Sequence, residues 1–314
     1  MDNNEPRLPT PRVVIRTPRG SLTSGASALR DWVARVEMTP IEGVFTGDHI
    51  SFHNGSGYEG LIEATAVVAA SQRLTVWTAV YLLALRHPVP VARAISSLAA
   101  VAKDRFVFGV GLGGEDPHEL EICGVDPHTR GRRLDSHLAV VRSLMAGETV
   151  SVHDEFVDIP EATIRPVPNP PVPVLVGGRS DAALRRVARD ADGWIAIWTS
   201  VERARAALAT IADHAAACGR TQIPNRNALM VWCGFGPSRQ HAQSLVAPVM
   251  EDLYKIPFTR FEQYTPCGTP EDVAEAIAPY LELGFDDVLL NGVADDPSNL
   301  IKLSAEVATI LGAP

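Results

Sequence analysis

Cysteine is scarce and scattered in this chain of 314 residues. Cys123, Cys218, Cys233 and Cys267 form no C-x-x-C pair, which disfavours a zinc site or a dithiol redox motif and leaves packed thiols as the expectation. Long apolar runs are lacking too. The longest, "VWTAVYLLAL" from Val76 to Leu85, is too short to span a bilayer, so no membrane partner is expected. The opening "MDNNEPRLPTPRVV" has no basic stretch leading into an apolar one, which removes the secretory-signal reading and makes a cytoplasmic protein the expectation. Basic charge is in deficit. The net charge of -9 argues against nucleic acid, whose phosphates are neutralised by Lys and Arg, and an anionic ligand must then be met locally. No strand carries an H-x-H pair, so a metal centre is not expected, although His49 and His53 lie close in sequence. Internal repeats, low-complexity tracts and interdomain linkers are absent, and the Pro-rich "RPVPNPPVPV" (165–174) reads as the approach to a strand.

What is present is an alternation. Strand-like runs occur at 12–17 (RVVIRT), 43–49 (GVFTGDH), 74–81 (LTVWTAVY), 106–111 (FVFGVG), 172–178 (VPVLVGG), 193–198 (GWIAIW), 228–235 (ALMVWCGF) and 286–292 (DDVLLNG). Ala-rich amphipathic stretches separate them, among them "VARAISSLAAVAK" and "DAALRRVARDA". Thr199 with Glu202 has capping-box spacing for a helix ending at Gly219, and "GTPED" predicts a helix with Thr269 as N-cap and Pro270 at its first position. Eight strands, each followed by a helix or longer insert, predict an α/β protein of the (β/α)8 TIM-barrel class; a doubly wound open sheet is the alternative. The whole chain, 1–314, reads as one such domain, with loop insertions at the C-terminal face and a segment at about 237–267 that matches no pattern.

In a barrel the active site is built at the C-terminal ends of the strands. The fourth strand runs into "GVGLGGEDPHE", where Gly109, Gly111 and Gly114 spell the G-x-G-x-x-G of dinucleotide-binding turns. The context is wrong for that motif, because a polar, Pro-broken loop follows instead of a helix, and Asp135 lies in a helical pattern rather than at a strand end. The second strand ends at Asp48 and His49, a carboxylate and an imidazole that can serve as acid, base or hydrogen-bond donor, or else a turn cap with a bystander histidine. "VLVGGRSDAALRR" turns on two glycines into a helix starting near Ser180, whose first amides together with Arg179 suit a phosphate, unless the glycines serve only a short loop. Trp77, Val80, Tyr81 and Leu82 supply an apolar wall.

Taken in order, "GVFTGDHI", "TAVYLLALRHPVPVARAISSLAAVAKDRFVFGVGLG", "RGRRLDSHLAVVRSLMAG", "VPVLVGGRSDAALRRVARDADGW" and "GTPEDVAEAIAPYLELGFDDVLL" resemble the luciferase-like monooxygenase superfamily of flavin- and deazaflavin-dependent oxidoreductases. The resemblance implies a barrel holding an isoalloxazine-type ring at the strand ends, with a non-prolyl cis peptide at Ala79 to Val80 behind the ring. It also implies Asp48 and His49 at the reactive face, Gly111, Gly113 and Gly114 along the ring or its side chain, and Gly177, Gly178, Arg179 and Ser180 at the phosphate. Leu112 stands where FMN-using relatives often have Arg, and Ser136 where relatives often have Glu. The activity implied is hydride transfer between coenzyme F-420 and a small organic substrate, with His49 as proton donor or acceptor and Asp48 orienting it. An FMN-dependent monooxygenase and a cofactor-binding protein without turnover are the alternatives, and a homodimer is compatible with the resemblance.

Overall fold

The computed structural model describes residues 11–53 and 55–313, so the first ten residues, where a leader was looked for, lie outside it. The strands are β1 (Arg12–Arg16), β2 (Gly43–Thr46), β3 (Thr75–Tyr81), β4 (Phe106–Val110), β5 (Val150–His153), β6 (Asp158–Ala162), β7 (Val174–Gly177), β8 (Gly193–Ile197), β9 (Asn227–Phe235), β10 (Cys267–Gly268) and β11 (Phe285–Val293). Eight of them close a parallel ring in the order β1-β2-β3-β4-β7-β8-β9-β11, with β11 returning to β1 through the pairs Val14 to Leu289 and Ile15 to Leu290. All eight predicted strands are members of this ring. The open-sheet alternative fails because β8 also pairs with β9, so each of these eight strands has two neighbours in the ring.

The helices are α1 (Gly25–Glu37), α2 (Gly60–Ala70), α3 (Pro88–Ala102), α4 (Pro117–Ile122), α5 (Arg130–Met145), α6 (Asp181–Asp190), α7 (Val201–Ala217), α8 (Arg239–Tyr254), α9 (Pro270–Leu281) and α10 (Leu300–Leu311). Alternation along each strand divides its side chains between two cores. Val14, Phe45, Trp77, Val107, Leu175, Ile195, Ala228 and Leu289, one from each barrel strand, fill the lumen. Their sequence neighbours, such as Val13, Val44, Val76, Phe108 and Val288, pack outwards against the helices. Both faces are buried, which is why these strands read as continuous apolar runs. Among the described residues no helix is long and apolar enough to cross a membrane.

The helix starts follow their caps. Thr269 and Asp272 form a reciprocal capping box with Pro270 at the first position, and Ser180 accepts from the Ala183 amide at the start of α6. At α7 the expected cap moves by one residue. Ser200, not Thr199, accepts from the Arg203 amide, because Trp198 takes φ 49° at the end of β8 and the chain turns into the helix one position later. The carbonyl of Thr199 accepts from the Tyr280 hydroxyl instead, at 2.6 Å.

Two features escaped the sequence pattern. β5 and β6 form an antiparallel hairpin outside the barrel, with Pro160 inside β6, a residue that weakens any strand prediction. Ser136, the departure from relatives on α5, donates to Asp154 in the turn of this hairpin at 2.6 Å. The unassigned segment after Pro237 consists of α8, two single 3-10 turns (Phe258–Arg260 and Glu262–Tyr264) and β10, which adds to the edge of β9. It delivers Tyr254, Phe258 and Phe261 to an apolar cluster with Trp198 and Trp232 at the ends of β8 and β9.

Candidate active site

The site begins with a shelf on β3, β4 and β7. The Ala79 to Val80 peptide is cis, and the pairing of β3 with β4 shifts between Thr78 and Tyr81. The side chain of Val80 needs space on both sides, and two glycines provide it. A Cβ on Gly111 would stand 2.3 Å from Val80 Cγ2, and one on Gly177 would stand 3.1 Å from Val80 Cγ1. Gly109 is glycine for a different reason, since its Cβ would run into the Thr78 carbonyl oxygen at 2.2 Å. The fingerprint spelling is thus produced by strand packing around a bulge, with no helix opening from it. Gly113 and Gly114 follow with φ of 62° and 118°, which favours glycine at both.

Asp48 and His49 lie just past the end of β2, and the structure separates their roles. Asp48 is buried and turned away from the imidazole. Its carboxylate accepts from Gly60 N and Leu82 N at 2.8 Å each, and from Arg86 Nη1 and Nη2 at 2.7 and 2.8 Å. It therefore ties the end of β3 to the start of α2, the turn-capping alternative carried out at long range. Orientation of His49 by Asp48 is corrected on this geometry. The group that faces the ring is Glu119, whose Oε2 lies 3.1 Å from His49 Nδ1. An ionised carboxylate only accepts, so Nδ1 carries the proton, and in the neutral tautomer it is Nε2 that offers a lone pair. The ring also stacks on Phe52, with centroids 4.1 Å apart.

Glu119 sits on α4, within the loop that looked merely polar in sequence. Asp116 caps that short helix through the His118 amide and also accepts from His53 N at 2.6 Å. Glu119 Oε1 accepts from Ile50 N and Ser51 N, so the loops after β2 and β4 are pinned to each other by two carboxylates. The available signal was Asp116-Pro117-x-Glu119, a cap, a proline and an acid at helix-start spacing. Burial alone would raise the Glu119 carboxyl, but the hydrogen bond and charge of His49 and the Ser51 and Ile50 amides outweigh it and hold the group below its usual value.

A carboxyl lowered on folding stabilises above its unfolded value, about 4.3, and loses that contribution as the pH falls through the folded value. Wild type and Glu119→Gln are therefore expected to melt apart at about pH 6, with the difference shrinking as the pH falls from about 4.3 through the folded value. A melting difference that stays constant down to about pH 3 would rule out a contribution from the charge.

At the other rim, Gly178 has φ 132° and Ser180 Oγ is engaged in capping α6. Arg179 is exposed. One of its nitrogens donates to the Trp198 carbonyl at 3.1 Å, and the guanidinium lies 5.5 Å from the Trp198 ring centroid. The indole Nε1 of Trp198 is buried without a hydrogen-bond partner among the described residues, as are Nε of Arg130 and of Arg133 at the start of α5. Arg130 lies beside Gly114, where a Cβ would come within 3.3 Å of its Nε. Among the described residues no three His, Cys, Asp or Glu side chains cluster so as to hold a metal.

Val80, the bare glycine backbone of Gly111, Gly113, Gly114, Gly177 and Gly178, and the unpartnered donors on Trp198 and Arg130 are groups suited to a flat heteroaromatic ring with a polar tail. Ala79, Val80, Gly111, Gly113, Gly114, Gly177, Gly178, Arg179 and Ser180 are all at this C-terminal face, as is His49.

Known proteins resemble this chain in sequence and fold. An uncharacterized protein of Mycobacterium tuberculosis (strain ATCC 25618 / H37Rv) is 42% identical over 137 residues, which is 44% of this chain and 47% of that protein, so the chain matches about half the length of this relative. An F420-dependent glucose-6-phosphate dehydrogenase of Nakamurella multipartita is 26% identical over 310 residues, covering 90% of this chain and 91% of the relative. The solved structure of an F420-dependent secondary alcohol dehydrogenase in complex with an F420-acetone adduct superposes with a TM-score of 0.80 at 16% identity, covering 95% of this chain and 98% of that one, a likeness of fold. The family model described as luciferase-like monooxygenase matches residues 13–263. With most of the barrel inside that match, the chain belongs to the luciferase-like monooxygenase family of oxidoreductases.

Proposed function

We propose that this oxidoreductase transfers a hydride between coenzyme F-420 and a small organic substrate, with His49 exchanging the accompanying proton. The observation that carries the reading is the His49–Glu119 pair at 3.1 Å, which leaves Nε2 without a hydrogen bond among the described residues. When bound, a deazaflavin supplies the carbon that accepts or donates the hydride. The chain's own residues do the rest. Val80 would back the ring, Gly111 and Gly177 make room for the Val80 side chain, and Gly113 and Gly114 would offer bare backbone to the ligand. His49 Nε2 accepts a hydroxyl proton when an alcohol is oxidised and returns it in the reverse direction, while Glu119 stabilises the imidazolium. Trp198, Trp232 and Phe261 shield the opposite rim from water. Leu112, where FMN-using relatives often have arginine, supports the deazaflavin over FMN.

The test is a fluorescence titration of the purified protein with F-420 and, separately, with FMN. Saturable F-420 binding is expected. Tight FMN binding with substrate-dependent oxygen consumption and no affinity for the deazaflavin would replace this reading by a monooxygenase, and binding without turnover of any substrate would leave a cofactor-binding protein.

In the same assay Arg179→Ala is expected to weaken F-420 binding about tenfold, since a hydrogen bond to a charged group contributes roughly 1.5 to 3 kcal/mol. That figure belongs to a ligand-covered guanidinium. An unchanged dissociation constant at moderate salt would mean that Arg179 stays in solvent.

A further inference from the structure

Arg16 is the last residue of β1, and it points inward. Val14 lines the lumen and Val13 and Ile15 pack outwards, so alternation turns Arg16 to the lumen side, at the C-terminal mouth. Asn291 occupies the matching place on β11, two residues after the lumen residue Leu289, continuing the register in which Ile15 faces Leu290. Gly47, at the end of β2, leaves room for the guanidinium, since a Cβ there would stand 3.1 Å from Arg16 Nη2.

Several other half-buried arginines have carboxylate partners: Arg86 with Asp48, Arg186 with Asp135, and Arg226 with Asp287. Arg16 has none. Among the described residues its guanidinium makes no ion pair and no hydrogen bond. Glu63, the acid nearest in electrostatic effect, is taken up by the hydroxyls of Thr17 and Ser21 at 2.8 and 2.5 Å. Arg16 is half-buried at the mouth, and its guanidinium keeps its charge there because it cannot escape by losing its proton, so its donors are open to an anion that enters.

A second donor stands in the same field. Trp232 on β9 pairs with Asn291, which continues the register to Arg16, and the Tyr254 hydroxyl oxygen accepts from Trp232 Nε1 at 2.9 Å. Its own O–H proton has no acceptor among the described residues. Burial pushes the phenol up to about 12, so the group remains a donor at neutral pH.

We propose that Arg16, assisted by the Tyr254 hydroxyl, binds an anionic group, a carboxylate or a phosphate, of the substrate processed at His49. The assignment to substrate rests on the function proposed above and on ring order. β1 lies across the barrel from β7, which carries the rim at Gly177 to Ser180, and it neighbours β2, which leads to His49. A net charge of -9 means that an anionic substrate has to be met by a local cation, as Arg16 provides. The fork of a guanidinium matches both oxyanions.

The experiment titrates wild type, Arg16→Gln and Tyr254→Phe with inorganic phosphate and with acetate, followed by tryptophan fluorescence and calorimetry at constant ionic strength. Wild type is expected to bind one of the two saturably. Arg16→Gln should weaken that binding about tenfold or more and Tyr254→Phe about threefold, with F-420 affinity unchanged in both. The proposal is overturned if wild type binds neither anion, if Arg16→Gln binds it as wild type does, or if Arg16→Gln loses F-420 to the same extent. A protein that binds no F-420 yet loses phosphate or acetate on mutation of Arg16 would keep the anion site and reject the cofactor reading. Should Arg16→Gln fail to fold, Arg16→Lys and Tyr254→Phe decide. Each must weaken anion binding about threefold, because each removes part of the donor set and leaves the packing nearly intact.

Discussion

His49→Ala is expected to lower the single-turnover rate of cofactor reduction or oxidation by about a hundredfold or more, while the folded variant binds cofactor as wild type does. The expectation follows from where the ring is held. Glu119 fixes Nδ1, Phe52 stacks on the ring face, and the His49 amide donates to the Tyr58 carbonyl at 3.0 Å, so the imidazole is preorganised without any ligand. Removing it deletes one proton acceptor and disturbs none of the residues around Val80. Glu119→Gln should act in the same direction with a smaller effect, since an amide oxygen can still accept from Nδ1 but no longer stabilises the imidazolium. Single-turnover measurement is needed because slow product release hides the chemical step in steady state. A His49→Ala protein with the wild-type rate would reject the role, and loss of wild-type activity on chelation would point to a metal instead.

Asp48→Ala should fail differently, by unfolding. The side chain is fully buried and accepts four hydrogen bonds, two from the Arg86 guanidinium and two from the amides of Gly60 and Leu82. Alanine strands a largely buried cation that keeps Glu59 at 3.5 Å and the Leu82 carbonyl at 3.2 Å, and it leaves both amides unpaired. Breaking a buried pair by deleting one partner costs about 3 to 5 kcal/mol. For a domain of this size that corresponds to a fall in melting temperature on the order of 10 °C.

Asp48→Ala combined with Arg86→Met should recover part of the loss, because the stranded charge is then gone as well. Calorimetric melts of the two single variants and the double variant measure this. A single variant melting within about 2 °C of wild type would contradict the geometry. The rate gives a second discrimination. The folded fraction of Asp48→Ala should keep more of the chemical step than Glu119→Gln does, the reverse of what a direct Asp48–His49 contact would give.

The barrel was legible in the amino-acid order because its determinants are local and repeated. Strands buried on both faces must be continuous apolar runs, and helices must alternate with them and start at caps such as Thr269 and Ser180. The same locality made the C-terminal strand ends, and so His49 and the glycines around Val80, recognisable as a face of the molecule. The β5–β6 hairpin was not legible, since a short polar pair carrying Pro160 has no periodicity strong enough to separate it from a loop.

What tertiary structure alone decided is pairing. Nothing in the adjacency of Asp48 and His49 says that one carboxylate will turn to Arg86, 38 residues on, while the ring meets Glu119, 70 residues on. Two side chains next to each other in an extended or turning chain point in different directions, so neighbours in sequence seldom share a partner. The unpaired state of Arg16 is of the same kind. Composition shows that basic residues are outnumbered, but only the closed ring turns this one to the lumen side, with its nearest acid already bound to two hydroxyls.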